Sequence, residues 1–421
     1  MRIAAGVCIT FVFSTLLTVS FAHGSRRTHR HGPAAGHPMI LIPGDGGAQL
    51  WANLTGKPTV PHYLCKKNTK DFFDLWLNFE YFPPYVIDCF VDNMRLVYDP
   101  HTRTTSNSPG VNITLRDWGN TSTVEWLDPA KWSTGHYFAT IVDTAVKLWG
   151  YYRGKNVRGA PFDWRKAPNE FGDMYARLKA LIEETYYNNG RKKVVTIAHS
   201  MGNPVTWYFY TTMTQAWKDK FIKSHISISG PYGGSMKVIL LFASGYNFEH
   251  YRFVLPPLTV RTMQRTLTSS SFLVPSPHYW NETENLAETP TRNYTVANYE
   301  QFFHDIGFPT GWEMYKDTAN LSWSLPAPGV EMHCVHGSGL GTPLKFVYKK
   351  GEFPDTQPRV VEGPGDSTVN MRSLLGCLKF KDQQKQAVKH LVINGTEGEH
   401  IGILQSKTLV DYVDKVVHDK I

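Results

Sequence analysis

Lys193-Val194-Val195-Thr196-Ile197-Ala198-His199-Ser200-Met201-Gly202-Asn203-Pro204-Val205-Thr206-Trp207-Tyr208-Phe209-Tyr210 decides the fold. Its opening residues are the β-branched run expected of a strand buried in a parallel sheet. Asn203 as N-cap and Pro204 in the first turn predict a helix from there onward. Between strand and helix, His199 to Gly202 must turn sharply. Ala198 and Gly202, two residues either side of Ser200, leave room for that turn, with Ala198 standing where a glycine is usual. Strand, tight turn and helix make a nucleophile elbow, which exposes the serine hydroxyl above the sheet and aims the Met201 amide and the helix N-terminus at a developing oxyanion. An ordinary serine in a strand-to-helix turn is the competing reading, and both flanking elements weigh against it. The expectation is an α/β fold with Ser200 as nucleophile.

The elbow's partners are sought in the order this fold uses, Ser, then Asp or Glu, then His. Val330 to Val335 reads as a core strand, and Glu362-Gly363-Pro364-Gly365-Asp366-Ser367-Thr368-Val369 as a turn that presents a carboxylate. Lys389-His390-Leu391-Val392-Ile393 is the last strand, and Gly395 to Glu399 a loop delivering His400. Asp366 and His400 therefore follow successive strands, whereas His390 precedes its strand and His418 lies in a terminal helix. His400 is the expected base, with Asp366 fixing its tautomer. Upstream, the strand Pro38 to Pro43 runs into Gly44-Asp45-Gly46-Gly47, which places the Asp45 amide as second oxyanion donor beside that of Met201. As a phosphate cradle the glycine run fails, lacking both GxGxxG spacing and a following Lys-Ser/Thr. No metal or other cofactor is expected.

A chain of 421 residues with 42% hydrophobic positions folds around at least one large core. The net charge of +8 does not point to nucleic acid: Arg2, Arg26, Arg27 and Arg30 supply half of it, and residues 1–36 contain no acid. Seventeen histidines would make the protein strongly cationic in an acidic compartment, favouring anionic surfaces. Arg2, the uncharged run Ile3 to Ala22 and the exit Ser20-Phe21-Ala22 predict a cleaved secretory signal over 1–22, with an uncleaved anchor as the alternative. Residues 23–36 form a basic tail outside the fold. Outside the signal lie Cys65, Cys89, Cys334 and Cys377, which suit two disulfides and permit three pairings. A zinc site lacks the usual ligand spacing. Sequons at Asn53, Asn112, Asn120, Asn281, Asn293, Asn320 and Asn394 predict a glycosylated lumenal or extracellular protein with these segments at the surface.

Two excursions leave the predicted core of residues 37–61, 111–230 and 330–421. Residues 62–110 carry Phe72, Phe73, Leu75, Trp76, Leu77, Phe79, Tyr81 and Phe82, more large apolar groups than a small loop buries. The expectation is a membrane-binding subdomain with Phe72, Phe73, Leu75, Trp76 and Leu77 in the lipid interface; packing on the core is the rival. Residues 231–329 are too long for a crossover and read as a lid over the site, with Gly233, Gly234 and Gly245 as hinges and Val238 to Phe242 as its apolar face.

Pro43-Gly44-Asp45, the cysteine loop with Leu75-Trp76-Leu77 and Asp88-Cys89, Arg95-Leu96-Val97-Tyr98, Phe162-Asp163-Trp164-Arg165, Ala198-His199-Ser200-Met201-Gly202, Gly365-Asp366-Ser367-Thr368-Val369 and Glu399-His400-Ile401-Gly402 together resemble the lecithin:cholesterol acyltransferase family from about Pro38 to the C-terminus. The resemblance implies an α/β-hydrolase core with a membrane-binding subdomain and a lid, the Ser200, Asp366, His400 triad, Asp45 and Met201 as oxyanion donors, and Cys65–Cys89 and Cys334–Cys377 disulfides. Asn203 stands where the plasma branch carries a free cysteine, and no proline-rich tail follows the terminal helix, so the lysosomal phospholipase branch is the nearer likeness. Asp45-Gly46-Gly47-Ala48 and the Arg/His tail depart from the family pattern and bear on substrate preference. The implied reaction moves an acyl chain from a glycerophospholipid in a membrane surface to water or a ceramide-like alcohol, in the lysosomal lumen or after secretion. The alternatives are a secreted, cholesteryl-ester-forming enzyme with a lipoprotein partner, and a non-catalytic lipid carrier, for which a complete triad order would have no use.

Overall fold

Val194–His199 and Met39–Ile42 are buried at every position, which only a sheet covered on both faces allows. In the computed structural model, which describes residues 34–132, 135–247, 255–321 and 325–421, six strands form one parallel sheet. Its spatial order is Val388–Asn394, Met332–Ser338, Ile222–Ile228, Val194–His199, Met39–Ile42 and Val157–Gly159. The helices Gly172–Asn188 and Gly202–Thr211 pack on Val194–His199. Lys407–Val417, capped by the Ser406 hydroxyl, turns Leu409, Val410, Val413, Val416 and Val417 inward at helical spacing. This is the α/β-hydrolase architecture. The expected signal and most of the basic tail lie outside the described residues. Among the described residues no helix is long and apolar enough to cross a membrane.

The chain enters the sheet at Met39–Ile42, adds Val157–Gly159 on one side and then crosses to build every later strand on the other. The strand order therefore reverses between Met39–Ile42 and Val194–His199, and such a switch point opens a crevice beyond the strands' carboxyl ends. Their register pairs Ile42 with Ala198. The loops Pro43–Gly47 and His199–Gly202 thus leave the sheet side by side.

The excursion over 62–110 does not expose the stretch expected at the lipid interface. Phe73–Trp76 is a strand paired antiparallel with Leu50–Leu54, which pairs in turn with Val111–Thr114. Leu75, Trp76 and Leu77 are buried, which corrects their expected membrane contact. The Trp76 indole donates to the Gly46 carbonyl at 2.7 Å and meets Trp164 edge-on, with ring centres 5.3 Å apart. It is a strut under the glycine loop. Phe73 is half-buried against Tyr81, and Phe72 alone of the five is exposed. The open apolar groups lie instead beside the Cys65–Cys89 disulfide: Tyr63 is 92% exposed, Leu64 53% and Tyr85 73%. Lys66, Lys67 and Lys70 are exposed in the same loop, and a His62 ring nitrogen bonds the Tyr85 carbonyl at 2.7 Å.

In the insertion 231–329, the helix Lys237–Ser244 contains Val238 to Phe242, and every residue of it is buried. This stretch is core rather than the one-sided apolar face of a lid. Its base is pinned to the turn after Asp366: the Ser235 hydroxyl donates to the Thr368 carbonyl at 2.5 Å, and the Met236 amide to Asn370 Oδ1 at 3.1 Å. Gly234 and Gly245 adopt positive φ of 88° and 78°, where a side chain would be strained. A second disulfide joins Cys334 to Cys377. Of the sequon asparagines, Asn53 is half-buried in Leu50–Leu54, with its amide donating to Thr69, while the other six are exposed.

Candidate active site

Ser200 follows Val194–His199 in the left-handed region at φ 52°, and its amide donates to the Ile228 carbonyl at 2.9 Å. Two glycines make this turn possible. A Cβ on Gly202 would stand 2.4 Å from the Pro43 carbonyl oxygen, and one on Gly44 would stand 2.7 Å from Ser200 Cβ. The helix begins at Gly202 with Met201 in the capping position, so Asn203 is not the N-cap its composition predicts. Asn203 instead braces the elbow from inside, its amide donating to the carbonyls of Ser200 at 3.1 Å and Ile228 at 2.9 Å. Its Oδ1 accepts from His225 Nε2 at 3.1 Å.

The Ser200 hydroxyl donates to His400 Nε2 at 3.0 Å, and His400 Nδ1 donates to Asp366 Oδ2 at 2.8 Å. The structure thus brings together the three residues expected from the sequence, from loops 166 and 34 positions apart. Asp366 is fully buried. Burial alone would raise its carboxyl, but the neighbouring His400 and the amides of Val369 and Thr368 outweigh that and hold it below the usual carboxylate range. The His400 amide also donates to the Asp366 carbonyl at 2.9 Å, fixing base and acid to each other through the main chain. Glu399 ties the same loops: it accepts from the Ser367 hydroxyl at 2.9 Å and from the Ile401 and Gly402 amides at 3.0 and 2.7 Å.

Beyond the serine, the Gly44 amide is occupied by the Tyr137 hydroxyl at 3.0 Å, while among the described residues the Asp45 and Met201 amides have no acceptor within the protein. These are the two donors expected to hold an oxyanion. The Asp45 residue is exposed to water, yet protein atoms crowd its carboxylate. That crowding pushes its pKa up to about 7, against the opposing pull of the Gly46 amide. Tyr137 and the bonding of His199 are not anticipated by the sequence reading. His199 stands in the elbow motif, but Tyr137, 62 residues upstream, carries no pattern that signals its place.

Known proteins resemble this chain over most of its length. The lecithin:cholesterol acyltransferase family model matches residues 72–407. The lysosomal phospholipase A and acyltransferase of Rattus norvegicus is 45% identical over 386 residues, 91% of each chain. The protein of the same description from Homo sapiens is 44% identical, covering 91% of this chain and 92% of its own length. The phosphatidylcholine-sterol acyltransferase of Homo sapiens is 38% identical over 381 residues, 90% of this chain and 84% of its own length.

Proposed function

This chain belongs to the lecithin:cholesterol acyltransferase family, and from that premise we propose that it is a lysosomal phospholipase A and acyltransferase working through an acyl-Ser200 intermediate. The observation that carries the reading is the hydrogen-bonded run Ser200, His400, Asp366 facing two backbone amides without acceptors. His400 takes the Ser200 proton as the oxygen attacks an ester carbonyl of a glycerophospholipid, and the oxyanion is held by the Asp45 and Met201 amides. Collapse expels the lysophospholipid, which leaves with the proton from His400. Water or a lipid alcohol such as ceramide then gives its proton to His400 and its oxygen to the acyl group, restoring Ser200.

Access to lipid is assigned to the disulfide-clamped tip. Tyr63, Leu64 and Tyr85 supply apolar and amphipathic groups for the interface, and Lys66, Lys67 and Lys70 supply charge for anionic headgroups. The division into a core, a membrane-binding subdomain over 62–110 and a lid over 231–329 is part of this proposal.

The test is lipid product analysis after incubation with phosphatidylcholine liposomes containing ceramide or cholesterol, at acidic and neutral pH. Acylceramide and free fatty acid at acidic pH are expected, and cholesteryl ester at neutral pH would move the chain to the secreted reading. Ser200→Ala should lower kcat by about 10⁴-fold or more. Turnover of that variant near wild type would remove the triad assignment.

A further inference from the structure

Two side chains outside the triad connect its base to the oxyanion loop. The Gly44 amide donates to Tyr137 Oη at 3.0 Å, Tyr137 Oη donates to His199 Nδ1 at 2.5 Å, and His199 Nε2 donates to the His400 carbonyl at 2.7 Å. Both rings are buried, Tyr137 at 3% and His199 at 2% exposure. The ends of this run are main-chain groups that cannot exchange roles: Gly44 offers only a proton and the His400 carbonyl only lone pairs. The His400 carbonyl therefore requires a proton on His199 Nε2, and with the imidazole kept neutral by its burial, Nδ1 is an acceptor to which Tyr137 donates.

This run reaches all three loops that carry the chemistry: the oxyanion loop after Met39–Ile42, the elbow after Val194–His199 and the base loop after Val388–Asn394. We infer that Tyr137 and His199 are positioning residues for acyl transfer, one hydroxyl and one imidazole jointly setting the place of the His400 main chain and the orientation of the peptide leading to the Asp45 amide. Holding the Gly44 amide on Tyr137 leaves the next amide, that of Asp45, to face substrate. Holding the His400 carbonyl on His199 fixes the main chain of the base at a second point besides its amide's bond to Asp366. Neither residue touches the reacting atoms. Burial, and next the nearby His400, pushes the His199 pKa down to about 3, so the imidazole stays a neutral donor in mildly acidic surroundings. Misplacement of a base or oxyanion donor by a fraction of an ångström is costly in kcat and leaves ground-state binding largely alone.

The inference rests on the triad assignment, and its experiment separates the two. Turnover of a soluble ester, phosphonylation of Ser200 by an organophosphonate and thermal midpoints are measured for Tyr137→Phe, His199→Gln and His199→Ala, with rates expressed per titratable Ser200, while Ser200→Ala is measured for turnover per mole of protein and for its thermal midpoint. Expected for Tyr137→Phe is a kcat loss on the order of tenfold with KM within about twofold, and a parallel slowing of phosphonylation. His199→Ala should lose more. His199→Gln, whose amide still reaches the His400 carbonyl, should recover part of that loss. Wild-type kcat in both Tyr137→Phe and His199→Gln, or losses that vanish once rates are normalised to titratable serine, would overturn the inference. Should His199→Ala fail to fold, the other two variants decide. A turnover-competent Ser200→Ala would instead strike at the triad itself.

Discussion

Asp45 brings a carboxylate to a place where negative charge must develop. Its main-chain amide is an oxyanion donor in the mechanism above, while its side chain, crowded enough to titrate near pH 7, opposes an anion when ionised. Above that pH the carboxylate and the oxyanion repel; below it the carboxyl is neutral and the repulsion is gone. Acyl transfer should therefore fall as pH rises through about 7. Asp45→Asn, which keeps the amide and the shape but never ionises, should extend activity to neutral and alkaline pH. The variant-to-wild-type ratio of kcat/KM on a soluble ester is expected to grow by roughly tenfold between pH 5 and 8, about 1.4 kcal/mol of differential stabilisation. Superimposable alkaline limbs for the two proteins would remove Asp45 from the pH response.

At the scale of elements, the strand Phe73–Trp76 is largely packed away while the loop before it exposes Tyr63 and Leu64, a difference that the sequence merges. A run of eight large apolar groups within eleven residues reads equally well as an exposed tip or as buried packing. What decides is pairing with Leu50–Leu54, which depends on contacts some twenty residues away rather than on local pattern. Tyr63 and Leu64 escape notice because two apolar residues make no periodicity. The triad was legible for the opposite reason: the elbow is local, and Asp366 and His400 sit on loops directly following strands, so chain order alone nearly places them. Tyr137 was not, because the partners of its hydroxyl, Gly44 and His199, belong to two other segments far away in the chain. Replacing both Tyr63 and Leu64 by serine should weaken binding to anionic liposomes severalfold and leave a soluble ester unaffected. Trp76→Ala should cost about 3–5 kcal/mol of stability, since it empties a core site and frees the Gly46 carbonyl. Sedimentation with liposomes and thermal melts distinguish the two. Equal effects of both changes on binding and melting would undo that difference.

For the whole molecule, two buried histidines and two carboxylates crowded by protein pull stability in opposite directions as pH changes. His199 and His225, buried and held at about 3, bind protons more readily in the unfolded chain. The stability they support is complete above the unfolded value near 6.5 and is lost toward pH 3, at about 1.4 kcal/mol per pH unit for each. Asp45, raised to about 7, and Asp74, raised to about 8 by burial and then by Asp128, act the other way. Their contribution is complete below the unfolded value near 3.8 and is lost as pH rises through 7 and 8. Acidification from neutral pH thus protonates the crowded carboxylates of the folded chain while it draws the buried histidines toward the unfolded chain, and each set offsets part of the other. Asp45→Asn removes one member of the acid-favouring set. Its melting temperature should exceed that of wild type at pH 8, where wild type holds an ionised carboxylate among crowding protein atoms, and the excess should shrink as pH falls below 7, closing only near the unfolded value of about 3.8. Melting curves at half-unit intervals across that range read the difference directly. A constant offset between the two proteins would mean that the Asp45 carboxyl has the same affinity for protons folded and unfolded, and that the protein around it exerts no pull on its charge.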